Sequence, residues 1–145
     1  MPSITLTAVD DDVEYVERLL ERNGLPTGDL RDSPAAFYVA EDGGERIGVG
    51  GIEAYGDAGL LRSVVVEASR RGSGYGSAVC DALEAEAREA GIETLYLLTT
   101  TAAGFFAARG YAAVERSEAP DAIRDTAEFA ELCPSSAACM RKSLA

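Results

Sequence analysis

The spacing of apolar residues divides the chain into seven strand-like runs and three helix-like runs. Apolar residues that alternate with polar ones, or follow one another over a short run, indicate strands. Such runs occupy residues 4–9, 36–40, 46–54, 60–66, 94–98, 111–114 and 137–144. Apolar residues three or four positions apart indicate helices, because those positions share a helix face. Such spacing occupies residues 13–20, 77–90 and 103–109.

Turn residues indicate how these runs connect. Asp42-Gly43-Gly44 predicts a tight hairpin, and residues 55–58 predict a second turn, so the three strands around them form an antiparallel meander. The helix at 77–90 then separates two strands, which predicts a parallel crossover. Strands and helices in this order predict an α/β (α+β) fold, and we expect one domain over residues 1–145.

Charge and hydropathy exclude several classes of protein. Hydrophobic residues make up 47% of the chain, which is typical of a globular protein and excludes a disordered one. The net charge of −12 argues against nucleic acid or an anionic membrane as a partner. Lys142 is the single lysine, and an acidic, lysine-poor surface suggests the hypothesis of a halophilic protein. With neither a membrane-spanning run nor a signal peptide, we expect a cytoplasmic location.

The cysteine and histidine counts limit the chemistry. Cys80, Cys133 and Cys139 are an odd, small set, which indicates buried thiols rather than a disulfide framework. The sequence contains no histidine, so the usual Ser-His and Cys-His nucleophile pairs are excluded. Three cysteines without histidine also form none of the common zinc sets, and we expect no metal.

A glycine-rich stretch, Arg71-Gly72-Ser73-Gly74-Tyr75-Gly76, separates the strand at 60–66 from the helix at 77–90. Glycines let the backbone approach a ligand, and the first N–H groups of a helix attract anions. The stretch therefore predicts a cradle for a pyrophosphate, with the Arg71 guanidinium as a further donor. The spacing fits neither the dinucleotide-binding fingerprint nor the P-loop, which needs Gly-Lys-Ser/Thr.

The same stretch resembles the acetyl-CoA signature of the GNAT family of N-acetyltransferases. The matching pattern is Arg71-x-x-Gly74-x-Gly76, and Phe105-Phe106-x-x-x-Gly110-Tyr111 resembles the second motif of the family. Pieces such as Gly24-Leu25-Pro26-Thr27 are similar to a subgroup labelled arsenic-resistance N-acetyltransferase-like, and Arg62-Ser63 resembles glutamate N-acetyltransferases more weakly. The resemblance implies a mixed, mostly antiparallel sheet of six to seven strands with about four helices on both faces.

The resemblance also implies acetyl-CoA as cosubstrate and a set of residues around it. Main-chain N–H groups would hold the pyrophosphate, together with Arg71; they belong to Gly72, Ser73, Gly74, Tyr75, Gly76 and Ser77. Val64 and Val66 would line the pantetheine cleft, and the Val66 N–H would polarise the thioester carbonyl. Phe106 takes the position of the usual catalytic tyrosine, so it can pack against the cofactor but cannot protonate the leaving thiolate. The alternative proton donors for this thiolate are water, Tyr55 and Tyr96.

Glu53 is the candidate general base. By strand alternation it shares a face with Ile47 and Val49, and burial would raise the pKa of its carboxyl toward a useful range. The resemblance supports this role, because similar enzymes place a glutamate near here. The alternative is a solvated carboxylate at the end of a strand.

Arg62 and Thr99 are the candidate substrate-binding residues. Arg62 lies within an apolar strand, where alternation places it with Leu60, Val64 and Val66. A planar guanidinium suits a carboxylate, so Arg62 either anchors an amino-acid-like substrate or forms a salt bridge with an internal acid. Thr99 either bonds a ligand or caps the next helix.

The function predicted on these grounds is acetyl transfer from acetyl-CoA to a primary amine of a small, amino-acid-like molecule by direct attack. Two alternatives remain open: a catalytically silent CoA-binding protein, and an acetyltransferase acting on proteins or peptides. The segments 26–34 and 116–134 carry no readable motif, so the identity of the amine is not predicted. Many members of the family form homodimers, and the sequence leaves that state open.

Overall fold

A seven-stranded mixed sheet is the frame of the computed structural model, which describes residues 4–8, 13–22, 36–67, 74–99, 102–124 and 138–144. The strands are β1 Thr5–Ala8, β2 Ala36–Asp42, β3 Glu45–Tyr55, β4 Ala58–Val66, β5 Thr94–Thr99, β6 Ala112–Val114 and β7 Ala138–Ser143. Their order across the sheet is β1-β2-β3-β4-β5-β7-β6. All neighbours are antiparallel except β4 and β5, which are parallel. The predicted meander and parallel crossover are confirmed.

Four α-helices and one short 3₁₀ turn accompany the described sheet. The helices are α1 Val13–Arg22, α2 Tyr75–Glu89, α3 Ala103–Ala108 and α4 Asp121–Arg124, and the 3₁₀ turn covers Arg116–Glu118. The core clusters place α2 and α3 on one face of the sheet, and α1 and α4 on the other. The predicted fold, a mostly antiparallel sheet with helices on both faces, is confirmed.

The α2 face has the larger core. Val79, Leu83 and Ala87 recur every four residues along α2, and all three are fully buried. They pack over the middle of the sheet, where β3 carries Gly50. A Cβ on Gly50 would lie 2.5 Å from Leu83 Cδ1, so the glycine lets α2 approach β3 closely. This contact sets the distance of α2, and therefore of its N-terminus, from the sheet.

Two separate groups cover the opposite face. Val16, Leu19 and Leu20 of α1 pack against apolar residues of β2, β3 and β4, with Val65 among them. Ile123 of α4 packs in a second cluster that includes Leu60 at the start of β4. Arg62 lies on β4 between Leu60 and Val65. The face thus carries a polar position between its two apolar covers.

Two irregularities in strand register correct the sequence-based face assignments. Val49 pairs with Val65 and Gly51 with Arg62, so β4 has one more residue than β3 between these pairs. This β-bulge reverses the alternation, and Val64 and Val66 pack toward α2 rather than on the side of Arg62. The prediction that these valines share a face with Arg62 was wrong.

A second bulge corrects the surroundings of Glu53. Ala40 pairs with Gly48 and Glu41 with Arg46, which leaves Ile47 as the extra residue of β3. Ile47 accordingly packs in the α2 core, whereas Val49 packs in the α1 core. The expectation that Glu53 shares a face with both residues was therefore wrong for Ile47. Simple alternation fails here because an extra residue changes the face without changing the composition.

Two of the three cysteines lie in the described part of the chain. Cys80 and Cys139 are buried and free, as the sequence predicts, and Cys133 lies outside the described residues. Burial raises the pKa of the Cys80 thiol to about 11, so the thiol stays protonated and unreactive at neutral pH. Within the described residues, no helix is long and apolar enough to cross a membrane.

Candidate active site

A gap between β4 and β5 is the main feature of the site. The two strands pair at three positions, which end at Leu60 and Tyr96. Beyond that point β5 stays paired with β7 as far as Thr99, while β4 stays paired with β3 as far as Val66. Residues 61–66 of β4 therefore separate from residues 97–99 of β5. A wedge between two parallel strands can accept an extended chain that pairs with one of them.

The main chain of Val66 faces this gap. Val66 pairs with Gly48, and at the neighbouring position the Glu67 N–H donates to the Ile47 carbonyl at 2.7 Å. Hydrogen-bonded and non-hydrogen-bonded pairs alternate in an antiparallel ladder, so the N–H and C=O of Val66 point away from β3, toward the side of β5. The half-buried side chains of Val64 and Val66 pack against the α2 core. Both residues lie along the gap, and their role in lining a pantetheine cleft remains a prediction.

The N-terminus of α2 lies at the far end of β4. Gly74 precedes the helix with φ of 83°, a left-handed conformation that side-chain-bearing residues rarely adopt. The Ala78 N–H donates to the Gly74 carbonyl at 3.1 Å, so the intrahelical hydrogen bonds of α2 begin there, and the N–H groups of Gly76 and Ser77 lie in the first turn, where N–H groups have no intrahelical acceptor. That turn carries no acidic residue, although the chain has 25. Its charge therefore suits an anion.

The glycine stretch is described only from Gly74 onward. Arg71, Gly72 and Ser73 lie outside the described residues, so their predicted roles in holding the cofactor remain predictions. Tyr75, the first residue of α2, donates its hydroxyl hydrogen to Asp42 Oδ2 in the β2–β3 hairpin. This bond ties the start of α2 to the neighbouring hairpin.

The two phenylalanines of α3 have different environments. Phe106 is buried, and its ring packs edge-on against Tyr111 at a centroid distance of 5.4 Å. Phe105 is 39% exposed, and a Cβ on Gly76 would lie 3.5 Å from its ring. Phe105, which is not among the residues predicted for the site, thus lies beside the first turn of α2. An adjacent aromatic pair does not indicate which ring a six-residue helix turns outward, so the sequence carried no signal for it.

A buried ion pair occupies the polar position on the α1 face. Arg62 Nη1 lies 3.0 Å from Glu53 Oε2, and both residues are only 2% exposed. The Tyr55 hydroxyl donates to Glu53 Oε1, and the guanidinium carbon of Arg62 lies 5.6 Å from the centre of the Phe37 ring. The positive charge of Arg62 compensates the negative charge of Glu53. Without this compensation, burying the carboxylate would be very costly in free energy.

This geometry shows the surroundings of the two residues and leaves their predicted roles open. Glu53 is a buried carboxylate and not a solvated one at the end of a strand. Arg62 forms the salt bridge with an internal acid. It directly follows Leu60 and Leu61 at the point where β4 leaves β5, so the pair lies at the narrow end of the gap. Neither catalysis by Glu53 nor substrate binding by Arg62 is tested by this arrangement.

Thr99 lies at the last position of β5. Its hydroxyl oxygen accepts a hydrogen bond from the Ala102 N–H at 3.0 Å, just before α3 begins. This bond lies ahead of α3, whose N-cap is Ala102 and has no side-chain cap in the described part of the chain, so both readings of Thr99 remain predictions. Among the described residues, no group of three or more histidine, cysteine or acidic side chains could hold a metal ion.

Comparison with known proteins decides the family. The sequence matches the acetyltransferase (GNAT) domain over residues 33–113. The chain belongs to this family. It is 31% identical to the amino-acid acetyltransferase of Mycobacterium tuberculosis over 126 residues, which cover 83% of this chain and 67% of that protein. The chain is thus an N-acetyltransferase domain, and acetyl-CoA is its cosubstrate.

Two solved structures share the GNAT fold over nearly all of the chain. N-acetylglutamate synthase from Neisseria gonorrhoeae, solved with coenzyme A and N-acetyl-glutamate, superposes with a TM-score of 0.81 at 20% identity, over 100% of this chain. The present chain spans only 36% of that enzyme. Rv2747 from Mycobacterium tuberculosis, solved in complex with CoA, superposes with a TM-score of 0.80 at 24% identity, over 99% of this chain and 100% of that one.

Proposed function

We propose that this GNAT domain transfers the acetyl group of acetyl-CoA to the amino group of a small, amino-acid-like molecule by direct attack. The observation that carries the proposal is the buried Glu53–Arg62 pair at the narrow end of the β4–β5 gap. It combines a proton acceptor with a carboxylate-binding cation in one enclosed place. The similarity to an amino-acid acetyltransferase supports this class of substrate.

On the donor side, the chain has groups that fit a thioester carried by CoA. The first-turn N–H groups of α2, with no acidic residue among them, suit the pyrophosphate. The gap between β4 and β5 suits the pantetheine arm, and the main chain of Val66 is directed into that gap. A donor N–H at this position would stabilise negative charge on the thioester oxygen during attack. Acetyl-CoA supplies the activated acetyl group.

On the acceptor side, Glu53 takes the proton from the amine, directly or through water. A general base must lie within hydrogen-bond reach of the proton it accepts. Glu53 is held rigidly for this task, because Tyr55 and Arg62 each bond one of its two carboxylate oxygens. The free amine then attacks the thioester without a covalent enzyme intermediate.

Arg62 anchors the carboxylate of the substrate in this proposal. A guanidinium carries five N–H donors in a planar fork, which allows it to serve two carboxylates at once. Arg62 would therefore bridge Glu53 and the substrate, and place the amine beside its base. A lysine at this position would keep the charge that compensates Glu53 but would lose the fork.

The leaving thiolate departs without help from a tyrosine at position 106. Phe106 is buried against Tyr111 and has no proton to give. Tyr55 is engaged with Glu53, and Tyr96 is 6% exposed in the apolar cluster around Ile123. An ordinary thiol has a pKa of about 8.5, so its thiolate is a tolerable leaving group that water can protonate.

A CoA-release assay tests the proposal. The acceptors are a panel of free amino acids, the same compounds as carboxyl esters, and a basic peptide. We expect turnover on one or more free acids and little on their esters. Glu53→Gln should lower kcat by about a hundredfold or more, while the exposed Glu93→Gln control should not. Arg62→Lys should raise the KM of the amino acid about tenfold without raising that of acetyl-CoA.

Three results would contradict the proposal. Calorimetric binding of acetyl-CoA without turnover on any amine would indicate the catalytically silent alternative. Turnover on the peptide alone would indicate a protein acetyltransferase. Equal rates on acids and esters would remove the role given to Arg62 while leaving the transfer reaction in place.

A further inference from the structure

A second buried carboxylate lies far from the Glu53–Arg62 pair, on the α2 face of the sheet. Glu84 of α2 is 2% exposed and has three partners from outside its helix. Lys142 Nζ of β7 lies 2.8 Å from Oε1, while Arg109 Nη2 and the Tyr111 hydroxyl both lie 3.2 Å from Oε2. Lys142 is the only lysine of the chain. The group joins α2 to β7 and to the end of α3.

Arg109 extends this contact toward the N-terminus of α2. It follows directly after α3, and its guanidinium lies along one stripe of α2. It donates to the Ser77 carbonyl at 3.3 Å and to Asp81 Oδ1 at 2.6 Å, besides Glu84. Residues 77, 81 and 84 are spaced four and three apart, so they share one face of the helix. Arg109 therefore holds the end of α3 against the first three turns of α2.

The charge of Asp81 bears directly on the anion site. Asp81 is exposed, and it lies four to six residues after Tyr75, Gly76 and Ser77. At 1.5 Å per residue this is about 6 to 9 Å along the helix axis, close to the Debye length of about 8 Å at physiological salt. An uncompensated carboxylate at that distance would repel a pyrophosphate bound at the first turn. Arg109 compensates it.

We propose that Arg109 is a positioning residue for the acetyl-CoA site, acting through Asp81. By cancelling the Asp81 charge, it keeps the N-terminus of α2 attractive to the phosphates of the cosubstrate. This inference rests on the proposed use of that N-terminus for acetyl-CoA. It concerns the phosphates only, so it predicts no effect on an acetyl donor that lacks them.

The test compares acetyl-CoA with S-acetylpantetheine, which carries no phosphate, in 0.1 M KCl. Arg109→Gln should raise the KM of acetyl-CoA about three- to tenfold, with kcat within about twofold. Asp81→Asn should lower that KM about two- to threefold, because Arg109 would then add a net positive charge. The double variant should return near the original value, and Arg109→Lys should rescue the effect in part. Arg141→Gln, a charge-matched change at an exposed residue of β7, should leave the KM unchanged.

Two further readouts separate charge cancellation from a purely structural role of Arg109. The KM of S-acetylpantetheine should not change in any variant, and the effects on acetyl-CoA should shrink in 1 M KCl, where the Debye length is about 3 Å. Equal effects on both donors, effects that persist at 1 M KCl, or an Asp81→Asn variant with a raised KM would overturn the inference. Asp81 is exposed, so its variant is informative even if Arg109→Gln does not fold. Acetyl-CoA binding that is absent already in the unsubstituted protein would instead overturn the proposed function.

Discussion

Two buried glutamates show how single residues of this acidic chain are used. Glu53 and Glu84 are each 2% exposed, and each is bonded to an arginine. Glu84 receives three partners that tie helices and strands together, which suits a structural centre. Glu53 lies at the narrow end of the β4–β5 gap, a position that suits the proton transfer proposed for it. Under the proposed function, equal burial and equal charge therefore serve different purposes, according to what surrounds the carboxylate.

The Glu53–Arg62 pair should show strong coupling in a double-mutant cycle. Arg62→Met leaves a buried carboxylate without compensation, which should lower the free energy of unfolding by about 3 to 5 kcal/mol. Glu53→Gln/Arg62→Met should cost clearly less than the sum of the two single changes, because neither charge is then left alone. Urea unfolding followed by circular dichroism measures these differences.

The exposed pair of Arg22 and Glu67 is the matched control for this cycle. Its side chains are 62% and 22% exposed, with a nitrogen–oxygen distance of 3.4 Å. Arg22→Met should therefore cost less than about 1 kcal/mol. An Arg62→Met variant as stable as Arg22→Met would show that the buried pair does not hold its two charges together in solution.

At the scale of elements, the hydrophobic pattern predicts the regular strands and helices but not the irregularities within the strands. The strands and the three longer helices follow from period-two and period-four spacing, and they appear near their predicted positions. The bulges at Ile47 and between Arg62 and Val65 cannot be predicted from that spacing, because an extra residue leaves the hydrophobic pattern unchanged. At the site, the sequence indicates Glu53 and Arg62 as candidate residues. Their contact depends on the pairing of β3 with β4, which is seen only in the folded structure.

The approach of β3 to β4 should depend on Gly48. A Cβ on this residue would lie 2.4 Å from the Val65 carbonyl oxygen, a main-chain atom that cannot rotate away. We expect Gly48→Ala to destabilise the protein by about 1 to 3 kcal/mol, because β3 or β4 must shift. Thermal or urea unfolding of the purified variant measures the cost.

Gly104 in α3 is the matched control for this glycine. A Cβ there would meet nothing within 4 Å, and α3 gives the residue helical surroundings. Gly104→Ala should therefore stabilise the protein by about 0.4 to 1 kcal/mol, by restricting the unfolded chain. A Gly48→Ala variant as stable as Gly104→Ala would show that the two strands separate at no cost.

On the scale of the whole molecule, the distribution of negative charge matters more than its total. The chain carries 25 acidic and 13 basic residues, yet the first turn of α2 has no acidic residue, and the two buried carboxylates of the described residues, Glu53 and Glu84, are paired with cations. The other acidic side chains that the structure describes are partly or fully exposed, and surface charges of one sign repel one another. This repulsion destabilises the compact state and weakens as salt increases.

Added KCl should accordingly stabilise the protein well beyond physiological concentration. The Debye length falls from about 10 Å at 0.1 M to about 3 Å at 1 M, so repulsion between neighbouring surface carboxylates continues to decrease over that range. We expect the melting temperature to rise steadily between 0.1 and 2 M KCl, measured by scanning calorimetry.

Glu89→Gln/Glu93→Gln removes two exposed charges and should reduce the slope of that rise. A melting temperature that is flat above 0.15 M KCl, or an unchanged slope in the double variant, would mean that surface repulsion does not limit stability. The halophilic hypothesis would then fail, whatever the origin of the arginine-rich, lysine-poor composition.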